Sequence, residues 1–377
     1  MPLPPDSSSR RPLPRRTLLR GLLGGSCALA LPLGTARAQQ STVGAGIRFF
    51  QIGTGTTGGT YFPIGGIIAN AISNPPGSRE CERGGSCGVP GLIAVAQATS
   101  GAVENVEGIR DRRFESGMVQ ADIAYASWRG EGAFKAEQPF AELRAIANLY
   151  TETIHLVVRA DGPIQTVADL KGKRVAVGEK GSGTLVSARV LLQAYGLTEK
   201  RIEAEFLNPG TASDRLVEGA LDAFFIVGGY PLPAVADLAA RLPIRLVPLA
   251  DERADRAESR LPFFTESLVE AGIYNGVPET RSLGVGAQWL VHDAVPDAIV
   301  YGVAKALWHP ATLRLLHEGH PRGAAIRPEK ALDGLAVPLH SGAERYYREA
   351  GYQIPPPPAP PEPPPTKAAG ATKQPSR

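Results

Sequence analysis

The sequence is poor in cysteine, and its few cysteines are unevenly placed. Of the three in 377 residues, Cys27 lies in an apolar N-terminal stretch, whereas Cys81 and Cys87 share one Gly-rich loop. In an exported protein, an isolated pair of this kind is typical of a disulfide. Zinc is the alternative, but two cysteines without a nearby histidine are an incomplete ligand set. We therefore predict a disulfide between Cys81 and Cys87, and no metal site.

The N-terminus lacks an apolar run long enough to cross a membrane. Gly21–Leu33 is a 13-residue apolar region, and a spanning helix needs roughly 20 residues. This region follows the twin-arginine pattern of Arg15–Leu19 and precedes the small-residue cleavage site Ala36–Ala38. That order is typical of an export signal. We predict a signal peptide over residues 1–38, cleavage after Ala38 and a periplasmic mature protein.

The part of the chain between its two ends has no excess of positive charge. The whole chain carries +3, but residues 1–38 carry +5 and the proline-rich residues 355–377 carry +2, which leaves about −4 for the body, 39–354. The basicity therefore belongs to the ends, and no nucleic-acid-binding face is expected. Residues 355–377 are predicted to form a disordered or polyproline tail.

Complete catalytic motifs are also lacking. Gly178–Thr184 resembles a phosphate loop, but Thr184 stands where a nucleotide site requires lysine. Gly84–Gly88 has the letters of a hydrolase elbow, yet it lies between two cysteines and not between a strand and a helix. His317 and His320 are spaced for one helix face, but glycine and proline interrupt that segment. We expect no enzymatic activity and no cofactor.

Two glycine-rich turns each join a strand pattern to a helix pattern. Gly53–Thr60 follows the strand-like Arg48–Ile52, and Gly178–Thr184 follows the strand-like Lys173–Val177. A turn of this kind directs backbone N–H groups and the positive end of a helix at one point, which favours an anion. The alternative is that the glycines serve only a tight turn. Because the turn occurs twice, and strands alternate with helices throughout the body, we predict two α/β lobes facing a shared ligand.

Several segments, in this order, resemble the TAXI-type solute-binding receptors of tripartite ATP-independent periplasmic (TRAP) transporters. The segments are Thr56–Pro63, Val119–Ala124, His155–Arg159, Val167–Val175, Gly181–Thr184 and Asp222–Phe225. The resemblance implies a type II periplasmic-binding-protein fold, in which crossover strands join two α/β lobes and the ligand lies in the cleft. We place lobe 1 at 39–150 and 245–354, and lobe 2 at 151–244.

The resemblance also implies a set of ligand-binding residues. They are Thr57, Gly58, Gly59, Thr60, Tyr61, Gln120, Asp122, Ser182, Gly183, Thr184, Gly229 and Tyr230. Several have a structural alternative: Tyr61 and Tyr230 as core or rim aromatics, Gln120 as a buried sheet residue, and Asp122 as a helix cap.

The resemblance implies a receptor that captures a small organic anion, such as a dicarboxylate, a keto acid or an amino acid like glutamate. It would deliver this ligand, as a monomer, to integral-membrane TRAP subunits driven by an ion gradient. Two alternatives remain. One is a binding protein that feeds an ATP-driven (ABC-type) importer, and the other is an exported enzyme.

Overall fold

The computed structural model of this protein describes residues 46–258 and 263–358, and for residues 257 and 258 only the backbone. The predicted signal peptide with its cleavage site, and residues 359–377 of the predicted tail, lie outside these ranges. Among the described helices, none combines the length and the apolar character that crossing a bilayer requires.

Strands and helices alternate along most of the described chain. The strands are β1 Arg48–Gly53, β2 Ser73–Asn74, β3 Val89–Pro90, β4 Leu92–Gln97, β5 Ser116–Gln120, β6 Leu143–Arg159, β7 Arg174–Ala176, β8 Glu203–Glu205, β9 Ala223–Gly228, β10 Ile244–Leu246, β11 Phe264–Val269 and β12 Thr280–His292. The helices are α1 Tyr61–Ile72, α2 Ala102–Arg110, α3 Ala121–Arg129, α4 Gly183–Ala194, α5 Pro209–Val217, α6 Pro233–Arg241, α7 Glu252–Glu258, α8 Asp297–Leu307, α9 Pro310–Gly319 and α10 Ser341–Glu349.

Ten of these strands form one hydrogen-bonded sheet in the order β4-β1-β5-β12-β6-β9-β7-β8, with β10 on β6 and β11 on β12. Each end of the sheet has three parallel strands, with the first in the chain placed between the second and the third. An antiparallel strand then follows, β12 beside β5 at one end and β6 beside β9 at the other. The same topology therefore occurs twice, which defines two α/β lobes.

Strands β6 and β12 are the crossovers between the lobes. The first part of β6 and the last part of β12 pair with each other in lobe 1, and residues 153–158 of β6 pair with β9 in lobe 2. This arrangement confirms the predicted fold class, α/β with two lobes and crossover strands in the type II order. The register between the two crossovers shifts on either side of Gln288 and Trp289.

The strand pairing moves one lobe boundary. The segment from 245 onward was expected to return to lobe 1, but β10 pairs with residues 157–159 of β6, and β11 pairs with the first half of β12. In addition, Val269, Tyr274 and Val277 pack in the same apolar cluster as β9 and α6. The short strand β10 therefore does not lead the chain back to lobe 1. We assign the chain up to the middle of β12 to lobe 2, and the second half of β12 is the return crossover.

Burial along the strands follows from their place in the sheet. All five residues of β5 are buried, and so are five of the six in β9, because helices cover both faces of these central parallel strands. Strand β1 instead alternates partly, with Phe50 and Ile52 buried and Phe49 exposed.

The helices begin where the sequence places caps: Asn208 accepts a hydrogen bond from the Thr211 N–H ahead of α5, whose first residue is proline.

Helix α10 closes the far face of lobe 1, and one tyrosine anchors it there. Tyr347 is fully buried; its hydroxyl accepts a hydrogen bond from Trp308 Nε1 at 2.9 Å and donates one to the Ile146 carbonyl on β6 at 3.1 Å. The chain continues past α10 into Pro355–Pro358, which line a groove with Leu332–Leu339 and α10.

The first prediction concerns this anchor. Tyr347→Phe leaves both Trp308 Nε1 and the Ile146 carbonyl without a partner in a buried place, so we expect the free energy of unfolding to fall by about 1–3 kcal/mol. Urea denaturation followed by fluorescence measures the change. Tyr346→Phe is the matched control: its half-buried hydroxyl has no hydrogen-bond partner among the described residues, and its effect should stay within about 0.5 kcal/mol. Equal stability of the two variants would contradict the anchor role.

Candidate ligand-binding cleft

A cavity of about 60 Å³ lies between the two lobes. Its walls come from the first glycine-rich turn, the segment before α2, the end of β5, the crossover strand β6, the second glycine-rich turn, and β9. The lining residues are Gly55, Thr56, Gly59, Thr60, Tyr61, Ser100, Gly101, Ala102, Gln120, Glu152, Gly178, Glu179, Ser182, Gly183, Thr184, Leu207, Pro209, Phe225, Ile226 and Val227.

The helix N-termini of both lobes meet at this cavity. Tyr61, Ala102, Gly183 and Pro209 line it, and they are the first residues of α1, α2, α4 and α5. Gln120, directly before α3, lines it as well. Each N-terminus turns the positive end of its helix dipole toward the cavity, and the N–H groups that no cap uses can bind a ligand. Since helices of both lobes contribute, the cavity favours an anion that bridges them.

The second turn needs glycine for its backbone. Gly178 and Gly181 have φ angles of 95° and 88°, in the left-handed region. A Cβ on Gly178 would also lie 2.8 Å from Thr184 Cγ2 and 2.9 Å from Ser182 Oγ. The turn thus folds back tightly enough to bring the start of α4 to the cavity.

Hydrogen bonds across the cavity hold the lobes together. Thr60 Oγ1 donates to the Gly229 carbonyl at 2.5 Å. The Ala234 N–H donates to the Gly58 carbonyl at 3.2 Å, and the Glu104 N–H donates to the Gly181 carbonyl at 3.0 Å. Each of these bonds joins lobe 1 to lobe 2, so the structure is a closed form of the cleft.

Gly183 and Gln120 approach each other closely across the cleft. A Cβ at Gly183 would lie 1.4 Å from Gln120 Oε1, and 3.2 Å from the Ala102 Cβ. Gln120 is 2% exposed, and its Nε2 has no hydrogen-bond partner. A buried amide donor that lines a cavity and lacks a partner is suited to bind an acceptor group of a ligand.

Two predicted hydroxyl ligands already have structural roles. Ser182 Oγ caps α4 by accepting a hydrogen bond from the Leu185 N–H at 3.1 Å, and it donates to the Glu179 carbonyl at 2.7 Å. Thr184 Oγ1 accepts a hydrogen bond from the Val227 N–H at 3.1 Å. The Thr184 hydroxyl proton stays available to a ligand, whereas the Ser182 proton is already used.

The floor of the cavity is acidic. Glu152 on β6 is 2% exposed and accepts a hydrogen bond from the Tyr61 hydroxyl at 2.7 Å. Burial raises the pKa of Glu152 to about 8, and the nearby Asp122 adds to the rise. Burial likewise raises the pKa of Asp122 to about 7, and its Oδ1 is buried without a partner. Tyr61 has a pKa well above its usual value because it is buried beside Glu152.

Sequence reasoning missed Glu152. It lies within Tyr150–His155 on the long crossover strand, where a single carboxylate interrupts a run of buried residues. Lys, Glu, Arg and Asp are rarely fully buried without a partner, so a charged residue in such a strand is a signal that could have identified it.

The predicted residues divide into two groups. Gly59, Thr60, Tyr61, Gln120, Ser182, Gly183 and Thr184 line the cavity. Thr57 and Gly58 line a neighbouring groove beside α6, and Asp122 lies near the floor, within electrostatic reach of Glu152.

The other two predicted residues face away from the cavity. A Cβ on Gly229 would lie 2.8 Å from both Tyr150 and Arg322. Tyr230 donates from its hydroxyl to the Leu268 carbonyl at 2.7 Å, and the Arg322 guanidinium stacks on its ring at 4.7 Å. Both residues therefore pack on the side of the lobe contact that is away from the cavity.

The two loop cysteines are bonded to each other in the structure, with their Cα atoms 4.7 Å apart. His309 Nε2 lies 3.8 Å from Cys81 Sγ, and these three side chains are the one group of potential metal ligands found in the described ranges. Because paired sulfur atoms are not thiolates, this group does not form a zinc ligand set.

Comparison with known proteins gives the family. The sequence profile described as the NMT1-like family matches residues 52–351. The chain therefore belongs to the NMT1-like family. Family and fold together define the class as a solute-binding protein of the NMT1-like type.

Several solved structures resemble the chain at low identity. The periplasmic aliphatic sulphonate binding protein SsuA from Escherichia coli is 18% identical over 80% of this chain and 87% of its own, with a TM-score of 0.42. The alkanesulfonate-binding protein SsuA from Xanthomonas axonopodis pv. citri, bound to MOPS, is 17% identical over 81% and 84%, with a TM-score of 0.40. A ligand-binding component of an ABC-type import system from Staphylococcus aureus is 9% identical over 82% and 94%, with a TM-score of 0.44.

The second prediction tests the contact between Gly183 and Gln120. Gly183→Ala places a methyl group where the Gln120 amide lies, so we expect the lobes to separate and the radius of gyration to rise in small-angle X-ray scattering. Gly66→Ala is the control, since a Cβ there meets nothing within 4 Å. The double variant Gly183→Ala/Gln120→Ala should return toward the parent value, because it removes the colliding amide. Identical scattering from Gly183→Ala and its parent would refute the contact's role in closure.

Proposed function

We propose that the protein captures a small organic anion in the cleft between its lobes and delivers it to a membrane transporter. The single observation that carries the proposal is the convergence of helix N-termini from both lobes on one cavity. Each N-terminus stabilises an anion by roughly 0.3–1 kcal/mol, and up to about 2 kcal/mol when partly buried. Hydrogen bonds from side chains supply the remainder.

The side chains proposed to contact the ligand are those that line the cavity with an available polar atom. Gln120 Nε2 has no partner, and the Thr184 hydroxyl has its proton free. Gly59, Tyr61 and Gly183 complete the contact surface. Thr60 and Ser182 also line the cavity, but their hydroxyl protons are already donated within the protein.

Three other predicted residues are assigned to closure. Gly58, Thr60 and Gly229 provide backbone or side-chain atoms to the bonds that join the lobes. A ligand shifts the equilibrium between open and closed lobes only by its greater affinity for the closed form. A ligand held by both α1 and α4 satisfies this condition, because it bridges helices of the two lobes.

The size of the cavity restricts the ligand. A volume of about 60 Å³ is well below the roughly 300–1,000 Å³ of pockets that hold drug-sized ligands. The closed form therefore suits a small anion, such as a dicarboxylate, a keto acid or an amino acid, and is too small for a nucleotide. A monomer presents a complete cleft of this kind, and we propose that the protein acts as one.

Two kinds of membrane partner are candidates. Among the structures described above, one is named as part of an ABC-type import system, so the ATP-driven importer is the first candidate. The motif resemblance favours the TRAP-type permease as the second. Reconstitution with each purified membrane partner would distinguish them, since uptake through the first requires ATP and uptake through the second requires an ion gradient.

We further propose that the mature protein works in the periplasm. The sequence of residues 1–38 supports export by the twin-arginine route with cleavage after Ala38. A bond between Cys81 and Cys87 suits that oxidising compartment. The absence of an enzymatic activity remains a prediction.

The third prediction tests the ligand class. Mature protein, unfolded and refolded to remove carried-over ligand, is screened with succinate, glutarate, 2-oxoglutarate and L-glutamate by thermal shift and calorimetry. A ligand present at 100 times its Kd should add about 2.7 kcal/mol to the free energy of unfolding. Succinamide is the control, because it has the shape of succinate without the charge. A melting temperature unmoved by the whole anion panel would refute the proposed ligand class.

A further inference from the structure

The floor of the cleft contains carboxyl groups that have no cationic partner. Glu152 and Asp122 take part in no ion pair among the described residues. The titratable and charged groups that face Glu152 are Tyr61 of α1, Asp122 of α3, Tyr150 of β6 and Arg322 of the short 3₁₀ segment Pro321–Ala325.

Arg322 offsets this floor only in part. Its positive charge lowers the pKa of Glu152, but burial has the larger effect. Its Nη2 donates to the Thr151 carbonyl at 2.6 Å, its guanidinium carbon lies 4.7 Å from the centre of the Tyr230 ring, and its Nε has no partner, so it forms no ion pair with the carboxyl groups. A buried carboxylate without a paired cation is costly, and such a group takes up a proton instead.

The hydrogen bond from Tyr61 determines where a proton on Glu152 would lie. The Tyr61 hydroxyl donates to Oε2, so that oxygen acts as an acceptor and the proton belongs on Oε1. Tyr61 is the single side-chain hydrogen-bond partner of Glu152 in the part of the chain that the structure describes. Because Glu152 lines the cavity, a neutral Glu152 is suited to donate a hydrogen bond to a ligand oxygen.

A second observation at the same place indicates a ligand. Gln120 lines this cavity, is 2% exposed, and has an Nε2 donor without a partner. An anion there would accept from Gln120 Nε2 and from the helix N-termini. With Glu152 and Asp122 both ionised, the same anion would face two negative charges that Arg322 offsets only in part.

We propose that Glu152, with Asp122 beside it, is a specificity-determining proton carrier of the cleft, and that the protein takes up its anionic ligand together with a proton. The inference deepens the proposed function and rests on it. When the lobes open, water reaches the floor and the carboxyl ionises. When they close on an anion, the floor takes up a proton, and Glu152 then donates a hydrogen bond to the ligand.

The sign of the pH dependence follows from the direction of the shift. The carboxyl of Glu152 binds its proton more tightly in the closed form, with a pKa of about 8, than in water, where glutamate has about 4.3. The closed form therefore holds more protons, and ligand affinity is lost as the pH rises toward 8. For one proton, Kd should rise about ninefold from pH 6 to pH 7.

The fourth prediction is tested with 2-oxoglutarate, whose carboxyl groups are ionised throughout this range. Calorimetry at pH 7 in two cationic buffers of different ionisation enthalpy should show uptake of close to one proton on binding. Because Glu152→Gln cannot take up this proton, its Kd for 2-oxoglutarate should change far less between pH 6 and pH 7 than that of the parent. The control Glu266→Gln removes an exposed carboxyl on β11 and should keep the parent behaviour. Binding without proton uptake by the parent would overturn the proton role and leave the ligand class intact.

A carboxyl titration without ligand tests the proton role even if 2-oxoglutarate does not bind. In protein labelled with ¹³C-glutamate, the Glu152 carboxyl resonance is identified by its absence from Glu152→Gln. The lobes are first held closed by a disulfide in Gly58→Cys/Ala234→Cys, because a Cβ on Gly58 would lie 3.2 Å from the Ala234 Cβ of the other lobe. In this closed form a titration midpoint above pH 6 supports the proposal, and a midpoint at the ordinary glutamate value overturns it. If 2-oxoglutarate fails to bind, that result counts against the proposed ligand class. The carboxyl titration alone then decides whether Glu152 holds a proton in the closed form.

Discussion

Strand β6 is shared by both lobes, and the cleft depends on the point at which it passes from one sheet to the other. Its first part pairs with β12 in lobe 1, and residues 153–158 pair with β9 in lobe 2. Glu152 lies directly before this change of partner and faces the cavity. The strand therefore joins the lobes, sets their spacing, and places a carboxyl group under the ligand position. Any rotation of the lobes must change the surroundings of that carboxyl.

The cleft combines two opposite electrostatic features. Helix N-termini from both lobes make it positive at its walls, and Glu152 with Asp122 makes its floor acidic. In the closed form these features are compatible because burial favours the neutral carboxyl over the carboxylate. In our proposal the helix N-termini of the walls attract the negative charge of a ligand, and Glu152 and Gln120 donate hydrogen bonds to its acceptor groups. A site built only from helix N-termini would bind any small anion, so we propose that the floor supplies the selectivity.

Sequence reasoning was most accurate where local backbone chemistry decides the structure. Gly178 and Gly181 take positive φ angles in the turn where glycines were noticed, and α4 begins directly after it. It was less accurate where neighbours distant in the chain decide. The boundary at 245 moved because β10 pairs with β6, and Tyr230 turned away from the cavity to contact Leu268 and Arg322.

The sequence by itself determined the α/β class, the two glycine-rich turns and the start of a helix after each, because these depend on periodicity and, in the second turn, on the φ angles open to glycine. Only the tertiary structure decided that Gly183 approaches Gln120 from the opposite lobe, and that Glu152 and Asp122 share one buried floor. The physical reason is that burial and charge coupling depend on which surfaces meet. Strand alternation predicts that a residue points inward, but not which group of another lobe lies opposite.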